Sequence, residues 1–451
     1  MARGGATARK TRRLAPLLSL GSAAIAAVSI AWCSSCLSFF GSMRSAAPAV
    51  ESAGRTLVAR QSRGGSGSAV APAGQLLGHS FPNRILADIT AAVTAPYRLM
   101  RLTKITKDLV VEMQAQRAAK VGANGGVKSP SGGTASKTMK RMLPSYVKSH
   151  VIARTEPEAF RDFMNTTLKL FFDSISAEEP YNFSPYHQAV RGPEVDHYLW
   201  GNNFFRSMVK YRSSRVEGLE HIESIRSSLE AGDNVVLFAN HQTEADPQVL
   251  SLLLELYGHE DLAARTIFIA GHKVTTDPIA IPFSMGRNLL TIFSKKYLDT
   301  YTPEEREAKS ARNRETVAEM QRLFNEGGHI FWVAPSGGRD RRTADGGTRF
   351  EPAKFDEQSV GLFCLLAQKA ERGGGRRTHF FPLAMWSHQL VPPPEGTQAA
   401  VGEARSTKRA PIGIELGPEL DLKAAGGRKG MPQAAEASVR RLYNHLDGLL
   451  R

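Results

Sequence analysis

Two kinds of hydrophobic pattern divide the chain. From Ile85 to Lys120 the apolar positions follow helical spacing, as in Ile85-Leu-Ala-Asp-Ile-Thr-Ala-Ala-Val93 and Leu109-Val-Val-Glu-Met113, with Pro96 predicted as a break. Further helical blocks are predicted from Glu156 to Ile175 and from about Pro193 to Lys210. From Val216 onward short β-rich runs alternate with helical ones. The runs Asn234-Val-Val-Leu-Phe-Ala-Asn240, Thr266-Ile-Phe-Ile-Ala270, Leu289-Leu-Thr-Ile-Phe293, His329-Ile-Phe-Trp-Val-Ala334 and His379-Phe-Phe-Pro-Leu-Ala-Met385 read as strands, and 246–257, 303–326, 357–371 and 433–450 as helices. This alternation predicts an α/β fold, a largely parallel central sheet flanked by helices, preceded by a small helical domain. The helix from 303 has Thr302 as N-cap, Pro303 at its first position and Glu304 and Glu305 at its positive end, and it stops at Gly327-Gly328.

The expected organisation is a leader over 1–72, a helical domain over 73–213 and an α/β domain over 214–451. Within the second, the Gly/Ser-rich residues 121–139 read as a disordered linker. No lysine follows its glycines in phosphate-loop spacing. Gly373-Gly-Gly-Arg-Arg377 and the stretch from Val391 to Pro411 read as surface insertions.

Charge changes the picture at one end only. The chain carries a net charge of +15 over 451 residues, but residues 1–70 hold nine basic residues and the single acid Glu51, so more than half of the excess lies in the leader. That distribution argues against nucleic acid as a partner. After Arg13 no charge occurs before Arg44, and the interval contains Leu14-Ala-Pro-Leu-Leu-Ser-Leu20 and Ala23-Ala-Ile-Ala-Ala-Val-Ser-Ile-Ala-Trp32. A basic start, an apolar stretch and the small residues around Cys36-Leu-Ser38 form a secretory-signal pattern. The Ser-, Ala-, Gly- and Arg-rich, acid-poor residues that follow have transit-peptide composition. Together they resemble a bipartite leader for plastids bounded by extra membranes. A simple transit peptide and a membrane anchor through residues 14–40 are the alternatives. No comparable apolar stretch recurs, so at most peripheral membrane contact is expected of the body. Three cysteines, two of them in the leader, exclude a disulfide scaffold and a Cys-rich zinc site.

Chemistry-bearing residues gather where strands end. The run to Asn240 continues as His241-Gln-Thr-Glu-Ala-Asp246-Pro247 directly into a helix, and ligands of open α/β sheets bind beyond such carboxyl ends. A carboxylate five residues after a histidine reaches back across the turn to one imidazole nitrogen and leaves the other as a general base. An N-capping aspartate beside a space-filling histidine is the alternative. No Ser or Cys nucleophile lies in the motif, which favours activation of a substrate hydroxyl. Ala334-Pro-Ser-Gly-Gly-Arg-Asp-Arg341 offers backbone N–H groups at Ser336-Gly337-Gly338, with Arg339 and Arg341 suited to a phosphate. Ser294-Lys-Lys-Tyr297 adds two lysines at a third strand end. Each of these alone also reads as a solvated basic turn. His272 and Lys273 read as a surface loop, and Leu250, Leu252, Leu253, Leu254, Leu289 and Leu290 as either core or an acyl-chain groove.

Asn240-His-Gln-Thr-Glu-Ala-Asp-Pro247, Pro282-Phe-Ser-Met-Gly-Arg-Asn288, Ser294-Lys-Lys296, Ala334 to Arg341 and Phe381-Pro-Leu-Ala384 together closely resemble the soluble plastid-type glycerol-3-phosphate 1-O-acyltransferases, in order and spacing across about residues 80–450. The resemblance implies a glycerolipid-acyltransferase-like fold and transfer of a fatty acyl group from a thioester donor, acyl carrier protein or coenzyme A, to the sn-1 hydroxyl of glycerol-3-phosphate. It implies His241 as base, Asp246 as its orienting partner, Lys296, Arg339 and Arg341 on the phosphate, and Thr243, Glu244, Ser336 and Gly337 shaping the site. It implies no metal or other cofactor and a location in the plastid stroma. The family usually has Lys-Lys-His where this chain has Lys295-Lys296-Tyr297. Tyr297 can donate a hydrogen bond to phosphate but carries no positive charge, which leaves open another phosphorylated acceptor such as lysophosphatidate. A catalytically silent lipid- or carrier-binding module is the remaining alternative.

Overall fold

The computed structural model describes residues 81–124, 132–293, 301–343, 349–393 and 405–451, with only the backbone described over 81–93, 117–124 and 132–134. The predicted leader, the central part of the predicted linker, and Lys295, Lys296 and Tyr297 lie outside the described residues.

Among the described residues three helices come first: α1 (Phe81–Asn124), α2 (Gly132–Ala153) and α3 (Pro157–Ser176). The predicted break at Pro96 is absent, and α1 runs through it. Proline removes a single backbone donor, while Leu102, Ile105 and Leu109 are buried on the same helix and hold the next turns in place. The linker expected over 121–139 is also corrected. α1 reaches Asn124 and α2 begins at Gly132, because Ala135, Thr138 and Met139 are buried and lie in register with Met142 and Tyr146 further along α2. The glycine and serine content of the segment gives no sign of those few contacts.

The remaining helices are α4 (His197–Arg206), α5 (Glu220–Glu230), α6 (Asp246–Leu256), α7 (Glu260–Arg265), α8 (Ile281–Met285), α9 (Pro303–Glu326), α10 (Glu357–Arg372) and α11 (Gly427–Leu450). The strands are β1 (Tyr186–His187), β2 (Arg215–Glu217), β3 (Asn234–Ala239), β4 (Ile267–Gly271), β5 (Asn288–Ile292), β6 (Ile330–Val333), β7 (Arg341–Arg342), β8 (Phe350–Glu351), β9 (Thr378–Trp386) and β10 (Gly413–Leu416). Eight of them form one sheet in the order β1-β5-β4-β6-β3-β9-β10-β2, and β7 and β8 form a separate ribbon. The five central strands are parallel. β1 runs antiparallel to β5, β10 runs antiparallel to β9, and β2 is parallel to β10. The predicted central α/β sheet is therefore observed, with mixed edges.

Both faces of the sheet are covered, which is why its strands read as continuous apolar runs rather than alternating ones. On β3, Val235, Leu237 and Ala239 join one cluster, and Val236 and Phe238 the other. The first cluster runs without a break from Leu102 on α1 through Tyr146, Phe160, Phe171 and Phe204 to Trp332 and Phe381 of the sheet, crossing residue 213. The second is built from α9, α10 and the start of α11. Leu250, Leu252, Leu253, Leu254 and Leu289 lie in the first cluster and Leu290 in the second, all buried, so these leucines are core. The α9 capping box is complete: the Glu305 N–H donates to Thr302 Oγ1 (3.3 Å) and the Thr302 N–H to Glu305 Oε2 (3.1 Å). Gly327 closes the helix at φ +81°, and a Cβ there would stand 2.3 Å from the Gly232 carbonyl oxygen.

The expectation for Val391 to Pro411 falls in part on residues 394–404, which lie outside the described residues, and is corrected at the described ends. Val391, Thr407 and Ala410 are buried in it. Backbone N–H groups tie it down, Thr407 donating to Ser145 Oγ (3.0 Å), Lys408 to the Leu390 carbonyl (2.9 Å) and Ala410 to the Met208 carbonyl (2.9 Å). Its proline and charge content gives no sign of Ser145 and Met208, which lie far away in sequence.

Candidate active site

β3 lies inside the parallel block, and the chain leaves its carboxyl end at Asn240-His241. The turn to α6 is short because Asp246 and Pro247 start that helix at once. Asp246 is fully buried, and its carboxylate organises the turn. Oδ2 accepts from His241 Nδ1 (2.8 Å), the Gln242 N–H (2.7 Å) and the Thr243 N–H (3.3 Å), and Oδ1 accepts from the Ser387 hydroxyl (2.5 Å). With two backbone donors already on Oδ2, the carboxylate serves there as an acceptor, so His241 carries its proton on Nδ1. Nε2 is left as the basic nitrogen of a side chain that is 27% exposed. The ring stands edge-on to Trp332, 5.8 Å between centroids.

The Ser-Gly-Gly-Arg loop after β6 is docked onto this turn. The Asp340 N–H donates to the His241 carbonyl (2.6 Å). Its carboxylate accepts from Asn240 Nδ2 (2.7 Å) and the Ala353 N–H (2.9 Å). Burial pushes the Asp340 carboxyl up to about 7 against those two hydrogen bonds. Asn240 also bonds both ways to the Met385 backbone on β9. Two of the sequence motifs and the end of β9 thus meet at one point.

Within the loop, Gly337 adopts φ +63° and its N–H is taken by the Ala334 carbonyl (3.1 Å), so it does not contribute to an anion concavity as expected. The Ser336 hydroxyl turns inward to the Gly338 carbonyl (2.9 Å). Arg339 reaches Glu244 (3.9 Å) and is half-buried, whereas Arg341 is exposed on β7, facing Glu351 of β8 in the ladder. Thr243 Oγ1 accepts from the Ala245 N–H (3.3 Å) and braces the turn. His272 stacks on Phe293 (4.2 Å) in a short 3-10 turn, half-buried instead of in an open surface loop. Arg287, in the motif after α8, is buried. It donates to Ser251 Oγ (2.7 Å) and to Asn202 Oδ1 and lies over the Tyr198 ring, which makes it a brace between α4 and α6.

Sequence reasoning missed Ser387, Arg405 and the support under Gln242. That side chain donates to Tyr443 Oη on α11 (2.9 Å) and accepts from the Ser387 and His388 N–H groups. None of these carries a spacing signal, because each partner is supplied from 141 to 201 residues away.

His388 gives a pH prediction. Burial pushes its pKa down to about 4; Asp447 opposes the shift, while Arg451, Arg342 and Lys408 add to it. Unfolded, it titrates near 6.5. Between the two values the unfolded chain holds the extra proton, so stability present above pH 6.5 is lost as the pH falls through 4. His388→Phe keeps the stack on Phe350 (4.5 Å) and is expected to lose less stability than the unsubstituted protein between pH 7 and 4. His150, also pushed down to about 4 by burial, titrates in both proteins and cancels in the comparison. Urea midpoints at the two pH values measure the difference, and equal losses would refute this account.

A parallel α/β sheet with a His-x4-Asp turn at a central strand end, and an arginine loop docked on it, places the chain in the acyltransferase class: the Acyltransferase family matches residues 213–386. Among curated relatives, a chloroplastic glycerol-3-phosphate acyltransferase of Cucurbita moschata is 36% identical over 68% of this chain and 65% of its own length. A second from that organism is 36% identical over 68% and 67%, and one of Spinacia oleracea 36% identical over 63% and 58%. The chain belongs to the glycerol-3-phosphate acyltransferase family. The aligned part spans about two thirds or less of those relatives' lengths.

Proposed function

We propose that the protein is a glycerol-3-phosphate 1-O-acyltransferase, which moves a fatty acyl group from a thioester donor to the sn-1 hydroxyl of glycerol-3-phosphate and yields lysophosphatidate, the first step of phosphatidic acid synthesis. The observation that carries this reading is the His241–Asp246 pair at the end of β3, with Arg339 joined to the same turn through Glu244. His241 Nε2 takes the proton of the hydroxyl, whose oxygen attacks the thioester carbonyl. The tetrahedral intermediate collapses with loss of the thiolate, and the proton passes from His241 to the leaving sulfur. Asp246 fixes the tautomer and balances the imidazolium formed on the way. Arg339, Arg341, Lys296 and Tyr297 hold the acceptor's phosphate in this scheme. Thr243, Glu244, Ser336 and Gly337 shape the site around it.

The donor we favour is acyl carrier protein carrying a fatty chain, a strongly acidic partner, with coenzyme A as the other thioester. We place the protein in the plastid, on the composition of residues 1–72 and the chloroplastic names of its relatives. Among the described residues no helix is long and apolar enough to cross a membrane.

The test is acyl transfer by the purified protein with acyl-carrier-protein and acyl-CoA donors, each offered glycerol-3-phosphate or lysophosphatidate. Product acylated at the sn-1 oxygen of glycerol-3-phosphate supports the reading. Product only from lysophosphatidate, or none from folded protein, sinks it. Arg339→Ala should raise KM for glycerol-3-phosphate about ten- to a hundredfold, the value of a charge-assisted hydrogen bond. Arg341→Ala should raise it less, since that side chain stands in solvent. Initial rates against acceptor concentration decide both.

A further inference from the structure

We propose that the outward stripe of α2, formed by Lys137, Arg141 and Lys148, is the face on which the acyl donor docks, and that the donor is an acidic acyl carrier protein held there by its negative charges. The inference rests on the reading of the protein as a thioester-dependent acyltransferase made above, and it adds the place where the partner of that site is seated.

Spacing and burial put these cations on one face. Positions 137, 141, 144 and 148 recur at the three- and four-residue steps of one side of a helix. All four are exposed, and Lys140 is exposed beside them. α2 carries no acidic residue over its 22 residues, so nothing on the helix itself offsets the charge of Lys137, Lys140, Arg141 and Lys148. The opposite face anchors the helix. Met139, Met142 and Tyr146 are buried there, and the Tyr146 ring stacks on Phe204 (4.3 Å) while its hydroxyl donates to the Phe204 carbonyl (3.0 Å). The stripe is thus presented in a fixed orientation.

The stripe borders a segment that reaches the catalytic turn. Ser145, a helical turn from both Arg141 and Lys148, accepts the Thr407 N–H at its hydroxyl (3.0 Å). Two residues earlier, Arg405 donates to both oxygens of Glu244 (2.6 and 3.0 Å) and to Asp277 Oδ2 (2.9 Å). Glu244 belongs to the turn that carries His241 and Asp246. Lys408, next to Thr407, is exposed and adds a cation to this edge. A carrier protein seated on α2 is therefore one chain segment from the base, and its acyl thioester, borne on a flexible prosthetic arm, covers the rest. A lipid surface fits less well. A helix that enters a membrane interface presents a broad apolar face, whereas the apolar face of α2 is packed inside the protein. Among its described side chains, Ile152 is the one large apolar group left exposed. A face built on charge steers an oppositely charged partner and is weakened by salt.

The experiment compares the full-length protein with Lys137→Glu/Arg141→Glu/Lys148→Glu and with the corresponding triple glutamine variant. Acylation of glycerol-3-phosphate is measured at low and high salt with a fatty acyl carrier protein and with the same acyl group on coenzyme A, which needs no extended docking surface. The glutamate variant is expected to raise KM for the carrier-protein donor about tenfold or more at low salt, the glutamine variant less, and high salt should shrink both differences. KM for glycerol-3-phosphate, the rates with acyl-CoA and the melting temperature should be unchanged. A carrier protein whose surface acids are replaced by lysine should recover part of the loss with the glutamate variant, which a structural defect would not allow. An unchanged KM for the carrier protein overturns the proposal. So does an equal loss with acyl-CoA or in the KM for glycerol-3-phosphate, or a loss the charge-swapped carrier does not reverse. Weaker binding of the variants to phosphatidylglycerol vesicles, with the carrier's KM unchanged, makes α2 a membrane face and overturns it too. If the unsubstituted protein acylates glycerol-3-phosphate from acyl-CoA but not from carrier protein, the functional reading stands and this inference falls. If it uses neither donor, the functional reading fails first and this inference with it.

Discussion

His241→Ala is expected to lower kcat by about 10²- to 10⁴-fold, the contribution of a positioned general base, with little change in melting temperature. The reason lies in how the side chain is held. Its hydrogen-bonded carboxylate is Asp246, which keeps three other donors when the imidazole is removed, and the ring is more than a quarter exposed. No buried group is left without a partner, so the loss falls on the chemical step. Single-turnover rates with saturating donor and acceptor, beside a thermal melt, separate the two effects. Retention of more than a tenth of the rate would remove His241 from the role of base.

Asp246 is expected to give a different pair of results according to the substitution. In Asp246→Asn, the amide oxygen can keep the place of Oδ2, where His241 Nδ1 and the Gln242 and Thr243 N–H groups donate. The amide nitrogen can then face Ser387, whose hydroxyl rotates to accept. The fold and the histidine tautomer survive, while the negative charge that balances the imidazolium is gone, and kcat should fall about 10²-fold. In Asp246→Ala those buried donors lose their acceptor at about 1–3 kcal/mol each, so this variant should be strongly destabilised as well as inactive. Adding Ser387→Ala to Asp246→Asn should cost further stability, because the amide nitrogen then lacks an acceptor. Denaturant melts of the three variants with kcat for the first provide the check. Equal stability of the Asn and Ala variants would contradict this account of the carboxylate.

The elements carrying the chemistry were legible because their signals are local. The strand ending at Ala239, the helix starting at Asp246-Pro247 and the capping box at Thr302 and Glu305 each rest on residues within a turn of one another. Asp246 was readable as a reach-back partner because five residues across a tight turn already bring it to His241. Where the reading erred, a distant contact decided the outcome. Pro96 does not break α1, residues 132–139 are helical, and Val391 to Pro411 is in part an interior segment. In each case side chains such as Leu102, Met139 or Thr407 gain from burial or hydrogen bonding more than local composition suggests.

By itself the sequence determined the class of fold, the order of its central elements and the pairing of His241 with Asp246, since periodicity, caps and a short turn act within a few residues. Only the tertiary structure decided what holds that turn in working shape. Ser387 on the second oxygen of Asp246, Tyr443 under Gln242, Asp340 bridging the arginine loop to the turn, and Arg405 between Glu244 and Asp277 come from segments up to two hundred residues apart. A buried polar group needs a partner of the right chemistry at about 3 Å, but any strand or loop the fold brings there can supply it, so no pattern along the chain marks the residue that does.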